Sequence, residues 1–96
     1  MYARLVLMKL GPGMRETAEQ LAARQAAALK QEKGYVASTW LGNDDEGKYG
    51  SLVLWDTSED ADAAFAKLFP PMQEQIEGLI KAPPINELYE VFELPT

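Results

Sequence analysis

The chain of 96 residues contains no cysteine and no histidine. The first absence excludes disulfides and all chemistry that runs through a thiolate. The second removes the ordinary zinc ligand, the histidine axial ligand of haem, and the side chain that most readily acts as a base near neutral pH. Basic residues are scarce as well, with nine lysines and arginines against fifteen acidic residues and a net charge of -6. Binding a phosphate backbone requires neutralising it, so nucleic acid is not an expected partner. Nor is a membrane, since no apolar run approaches the roughly 20 residues of a spanning helix. The stretch Tyr2 to Leu10 carries Arg4 and Lys9 and lacks a small-residue cleavage pattern, so it reads as a strand and not as a secretory leader. A cytoplasmic protein is the expectation. What remains is ordinary globular composition, 47% hydrophobic, 25% charged and 9% aromatic, in a length that suits one small domain over residues 1–96.

Periodicity orders the elements. Residues 2 to 10 alternate and stop at Gly11-Pro12-Gly13, a tight exit from a strand. From Met14 to Lys33 the residues Met14, Ala18, Leu21, Gln25, Ala28 and Leu29 recur at helical spacing among alanines, and Gly34 suits a left-handed C-terminal cap. Tyr35 to Leu41 is rich in strand formers, and the turn-prone run Gly42 to Gly47 joins it to a strand over residues 48 to 56 as a hairpin. Thr57 followed by Asp60 resembles a capping box and opens a helix with the stripe Ala61, Ala64, Phe65, Leu68 and Phe69. Pro70-Pro71 is expected to interrupt that helix, with a second short stripe of Met72, Ile76, Leu79 and Ile80 after it. Ile85 to Leu94 alternates as the last strand. The order β-α-β-β-α-β predicts an α+β, ferredoxin-like protomer, a four-stranded antiparallel sheet with its helices on one face.

The strands are apolar on both faces. Alternation sets Arg4, Val6, Met8 and Leu10 on one side of the first strand and Ala3, Leu5, Leu7 and Lys9 on the other; the third strand sets Tyr49, Ser51, Val53 and Trp55 against Gly50, Leu52 and Leu54. At about 2 kcal/mol for each buried leucine, a wet face would forgo roughly 8 kcal/mol over Leu5, Leu7, Leu52 and Leu54, comparable to the net stability of a domain. A second copy of the chain is the expected cover, which makes a homodimer.

These elements carry a resemblance. The first strand, Pro12-Gly13, the long helix, Gly34-Tyr35, the hairpin and the segment Leu54-Trp55-Asp56-Thr57-Ser58-Glu59-Asp60-Ala61 together resemble the antibiotic-biosynthesis monooxygenase family of dimeric α+β barrels. The resemblance covers nearly the whole chain, and its most specific part is the Trp-acidic-Ser/Thr junction between strand and helix. It implies a sheet that pairs with its twin to form a barrel, with the last strand reaching toward the partner. In the haem-degrading branch of that family, the Asn, Trp and His positions fall on Val6, Phe65 and Gln75 of this chain. All three differ, so haem degradation is disfavoured. The quinone-forming branch uses no cofactor, because an electron-rich phenol or anthrone, once deprotonated, itself reduces dioxygen; none is expected here, and no metal.

The resemblance also implies a pocket between sheet and helices. On this chain it would be lined by Val6, Met8, Val53, Trp55, Phe65, Leu68, Phe69, Met72 and Ile76, with Arg4, Tyr49, Gln75, Tyr2 or Asn86 supplying polarity. Arg4 would hold a phenolate, and Tyr49 would hydrogen-bond a carbonyl while remaining a poor base at its reference pKa of about 10. Plainer roles compete: Trp55 as the packing anchor of the second helix, the stripe from Phe65 to Ile76 as core, Arg4 as the partner of Glu87, Glu90 or Glu93, and Asp44-Asp45-Glu46 as a solvated turn. The leading functional expectation is a cofactor-independent monooxygenase-like protein that acts on or binds a small hydrophobic or aromatic metabolite. Its rival is a non-catalytic dimer of ligand-binding or stress-related role. An isomerase or lyase would need a carboxylate facing the cavity, and Glu74 and Glu77 point largely outward from their stripe.

Overall fold

Alternation along the strands divides the sheet into two faces, and both helices lie on the face that carries Val6, Met8, Val53 and Trp55. The computed structural model describes residues 1–95. In chain order these form β1 (Tyr2–Lys9), α1 (Arg15–Leu29), β2 (Tyr35–Asn43), β3 (Lys48–Trp55), α2 (Ser58–Ile76) and β4 (Ile85–Glu90). The antiparallel sheet has the order β2-β3-β1-β4. This is the α+β ferredoxin-like fold that the order of elements predicts.

Four boundaries differ from the sequence reading. The α-helix of α1 ends at Leu29, and the chain then tightens, with Gln31 and Glu32 donating to the carbonyls of Ala28 and Leu29. Gly34 does adopt a left-handed conformation, at φ 83°, but beyond that turn and not as the helix cap. β2 runs through Gly42 and Asn43, which pair with Tyr49 and Lys48, so the turn is confined to Asp44–Gly47. Pro70 and Pro71 do not interrupt α2. Each proline removes one backbone donor at a cost of about 3 kcal/mol, yet both are exposed. The residues after them, Met72 and Ile76, continue the stripe of Ala61, Ala64 and Leu68 into the buried layer and hold the helix on course. The cap at the start of α2 is as the sequence predicts, with Thr57 Oγ1 accepting from the Asp60 N–H at 3.1 Å. Finally, β4 stops at Glu90, because Glu90 already pairs with Tyr2 and the Val91 N–H takes the carbonyl of Met1. β1 offers nothing beyond that point, and Phe92, 77% exposed, projects past the sheet.

The face away from the helices is apolar and open. Leu5 stands opposite Leu52, Ala3 opposite Leu54 and Tyr89, and Leu7 opposite Ile85. The four leucines are only half-buried, and Ile85 and Tyr89 are exposed. No helix among the described residues is long and apolar enough to cross a membrane.

Candidate ligand site

The layer between helices and sheet is filled in two clusters. One joins Leu29, Val53, Trp55, Ala61 and Ala64; the other joins Val6, Met8, Leu10, Leu21, Tyr49, Met72 and Ile76. The second leaves a cavity of about 210 Å³. Val6, Met8 and Ser51 contribute from the sheet, Ala18 and Ala22 from α1, and Phe65, Phe69 and Met72 from α2; Trp40, Leu41 and Tyr49 complete the strand side. The side chains that α1 and β3 present to it are short, Ala18, Ala22 and Ser51, while the stacked rings of Phe65 and Phe69, 4.6 Å apart, line it from α2.

Seven of the residues singled out in the sequence line this cavity: Val6, Met8, Tyr49, Phe65, Leu68, Phe69 and Met72. The others, Tyr2, Arg4, Val53, Trp55, Gln75, Ile76 and Asn86, do not. Val53 and Trp55 belong to the solid cluster, where Trp55 is 2% exposed and meets the Tyr35 ring edge-on at 6.0 Å. Gln75 is on the outer side of α2, where its side-chain oxygen accepts from Arg24 of α1 at 3.1 Å. Arg4, with its side chain 11% exposed, is not paired with a glutamate of the last strand. Its Nη2 donates to Asp62 at 2.6 Å, its Nη1 to Asn86 at 3.0 Å, and its guanidinium lies 4.8 Å from the centre of the Phe65 ring. Asp62 comes within reach because α2 crosses β1, and on β4 the Arg4 side chain reaches Asn86, which pairs with Val6 on the same face. The remaining nitrogen, Nε, is buried without a partner.

The polar end of the cavity is built by residues the sequence reading passed over. Arg15, the first residue of α1, grips Asp44 of the hairpin turn in a fork, Nε to Oδ1 at 3.0 Å and Nη2 to Oδ2 at 3.1 Å. Tyr49, 4% exposed, donates its hydroxyl to the same Oδ1 at 2.9 Å. Gly42 makes room for the arrangement. A Cβ at that position would lie 3.1 Å from Arg15 Nη2 and 3.3 Å from the Tyr49 ring. The Arg15 hydrogen bond, then the Tyr49 hydrogen bond, holds the Asp44 carboxyl below the usual range. Burial, then the bond to Asp44, pushes the Tyr49 phenol up, so it stays protonated. From the sequence, Asp44 reads as part of a solvated turn and Arg15 is not singled out. The available signal was Gly42, since a glycine inside a strand often marks the close approach of another group.

As chemistry, the site can bury a flat apolar body and offer hydrogen bonds at one end. The carboxylates at it are Glu19 on the wall and Asp44 behind the Tyr49 hydroxyl, and among the described residues no three acidic side chains converge as metal ligands would.

No family model and no curated protein matches the sequence. Solved structures do match. SnoaB, a cofactor-independent oxygenase from Streptomyces nogalater, superposes with a TM-score of 0.75 at 20% identity, over 97% of this chain and 93% of that one. An antibiotic biosynthesis monooxygenase superposes at 0.79, with 15% identity over 97% and 100% of the two chains. The chain has the antibiotic biosynthesis monooxygenase fold. A further protein of this fold, the monooxygenase from the gene ActVA-Orf6 of Streptomyces coelicolor in complex with the ligand nanaomycin D, superposes at 0.77, with 16% identity over 99% and 92%. At these identities the monooxygenase fold is what is shared, and function has to be argued from the cavity.

Proposed function

We propose that the protein binds a one- or two-ring aromatic metabolite between sheet and helices and oxygenates it without metal or flavin. The observation that carries this reading is the apolar cavity with Arg15 and Tyr49 at one end, within a fold shared with a cofactor-independent oxygenase. A cavity of about 150 Å³ accepts benzene, and drug-sized sites take roughly 300 to 1,000 Å³. At about 210 Å³ this one suits a small ring system. An ionised electron-rich phenol supplies the electron to dioxygen; the protein's part is to bind it, orient it and exclude water. On this reading the anion comes from the ligand's own ionisation, so the rate is expected to rise with pH. Oxygen uptake with hydroxylated mono- and bicyclic arenes tests this, and absence of turnover across the panel would refute it.

A second reading has its own support. Tyr49 is held protonated and Asp44 is held ionised, which is how a ligand-binding site is organised when it performs no acid-base step. The panel separates the two: binding by calorimetry without oxygen uptake favours a non-catalytic ligand-binding protein.

We also propose that two copies pair through the open sheet face, forming a homodimer. Support comes from Leu5, Leu7, Leu52 and Leu54 left half-buried there, and from Ile85 and Tyr89 exposed beside them. Light scattering coupled to size exclusion is expected to give twice the chain mass; a stable monomer at micromolar concentration would contradict it. Substituting Leu5→Lys is expected to shift the population toward monomer.

A further inference from the structure

Arg15 is the one cationic side chain on the cavity wall among the described residues. Arg4, for which holding a ligand is one of two roles expected from the sequence, is engaged by Asp62, Asn86 and the Phe65 ring and does not line the cavity. Arg15 is placed differently. The Asp44 fork uses Nε and one N–H of Nη2, and Nη1 has no protein partner among the described residues. A guanidinium has five donors in a fixed plane, so fixing one edge fixes where the other edge points. Gly42 lets that plane settle close to the strand and the Tyr49 ring.

The charges around it decide what this donor edge can take. Asp44 offsets the charge of Arg15, and Glu19, one turn along α1 and also on the cavity wall, adds a second negative group. The cluster has one positive charge against two negative. It offers directed N–H donors without a net positive potential, which suits a carbonyl oxygen and opposes the full localised charge of a carboxylate placed beside it. Tyr49 adds no competing donor, because its proton is given to Asp44.

We propose that Arg15 is the specificity-determining residue of this site, selecting an aromatic ligand that carries a neutral carbonyl oxygen over one that carries a carboxylate, with Asp44 and Gly42 as its positioning residues. This rests on the reading of the cavity as an aromatic-ligand site, and it adds which end group that site accepts.

The test is calorimetric titration of the full chain with three ligands of one shape: 2-acetylnaphthalene, 2-ethylnaphthalene and 2-naphthoate. The ketone is expected to bind about tenfold tighter than the ethyl compound, the size of one hydrogen bond to a charged donor, and the carboxylate to bind more weakly than the ketone. In Arg15→Gln the ketone preference is expected to fall below about threefold while the ethyl compound keeps its affinity within about twofold. Gly42→Ala is the independent variant. Its backbone is ordinary strand, and its Cβ displaces the guanidinium without deleting it, so the preference is expected to shrink there too. Equal binding of ketone and ethyl compound by the unaltered protein, tightest binding of the carboxylate, or a ketone preference that survives Arg15→Gln would each overturn the proposal and leave the aromatic site standing. Failure of all three ligands to bind would overturn both.

Discussion

The two ends of the layer between helices and sheet are built from similar residues to opposite effect. Around Trp55, small side chains lie on α2: Ala61 and Ala64, 1% and 2% exposed, pack in one cluster with the indole and Val53. Around Tyr49 the small side chains lie on α1 and on the strand beneath it, Ala18 and Ala22 on the helix and Ser51 on the sheet, and the space stays open. Alanine thus has no fixed meaning in this core. Opposite a large partner it permits contact; opposite another small residue it leaves a void. The first end serves stability and the second can serve a ligand.

That contrast can be broken most forcefully at its solid end. Trp55→Ala is expected to cost about 3–5 kcal/mol, read by urea unfolding, and a cost under about 1 kcal/mol would mean that Trp55 is not the anchor its burial implies. Next comes a matched pair of insertions. Ala64→Leu overpacks the closed end and is expected to cost about 1–3 kcal/mol, whereas Ala18→Leu grows into the cavity and should cost less than about 1 kcal/mol while lowering affinity for a bicyclic ligand at least tenfold. Equal destabilisation by the two would erase the distinction between the ends. A smaller effect is expected at the bridge between them: Pro70→Ala restores a helical donor at an exposed position and should stabilise the protein by about 1–2 kcal/mol, less than the full proline penalty because the unfolded chain also gains freedom.

The smallest effect concerns pH. Asp44 has its carboxyl lowered in the fold, first by Arg15 and then by Tyr49. Its contribution is therefore complete above the carboxyl pKa of the unfolded chain and is lost as pH falls through the lower folded value. Asp44→Asn should flatten that acid-side slope and leave stability above it little changed, because the pair is solvated, with side chains 52% and 56% exposed. Unfolding midpoints across the acid range provide the check.

Most of the frame was legible because it depends on local periodicity. The order of elements, the Thr57 cap and the two-faced strands follow from spacing alone; that Val6, Met8, Phe65, Phe69 and Met72 line one space is what the family resemblance implies. What was not legible depends on where elements cross. The sequence does not reveal that Gly42 lies under the start of α1, so Arg15 and Asp44 look like unrelated surface charges. Arg4 pairs with Asp62 because of the position of α2 over β1, which is a tertiary fact. The prolines misled for a related reason: their local penalty is real, but Met72 and Ile76 are buried on the same stripe and outweigh it. β4 proved shorter than its alternation because a strand can pair only as far as its neighbour reaches.

The alanines of α1 bear on how such a fold acquires new ligands. Only Leu21 and Leu29 of that helix are buried, so its grip on the sheet depends on few side chains. The rest of its inner surface is free to change length without disturbing a single strand register. Exchanging one small residue there for a longer one would remould the hollow as a spacer adjusts a clamp, which makes α1 the natural place to search for variants with an altered cavity.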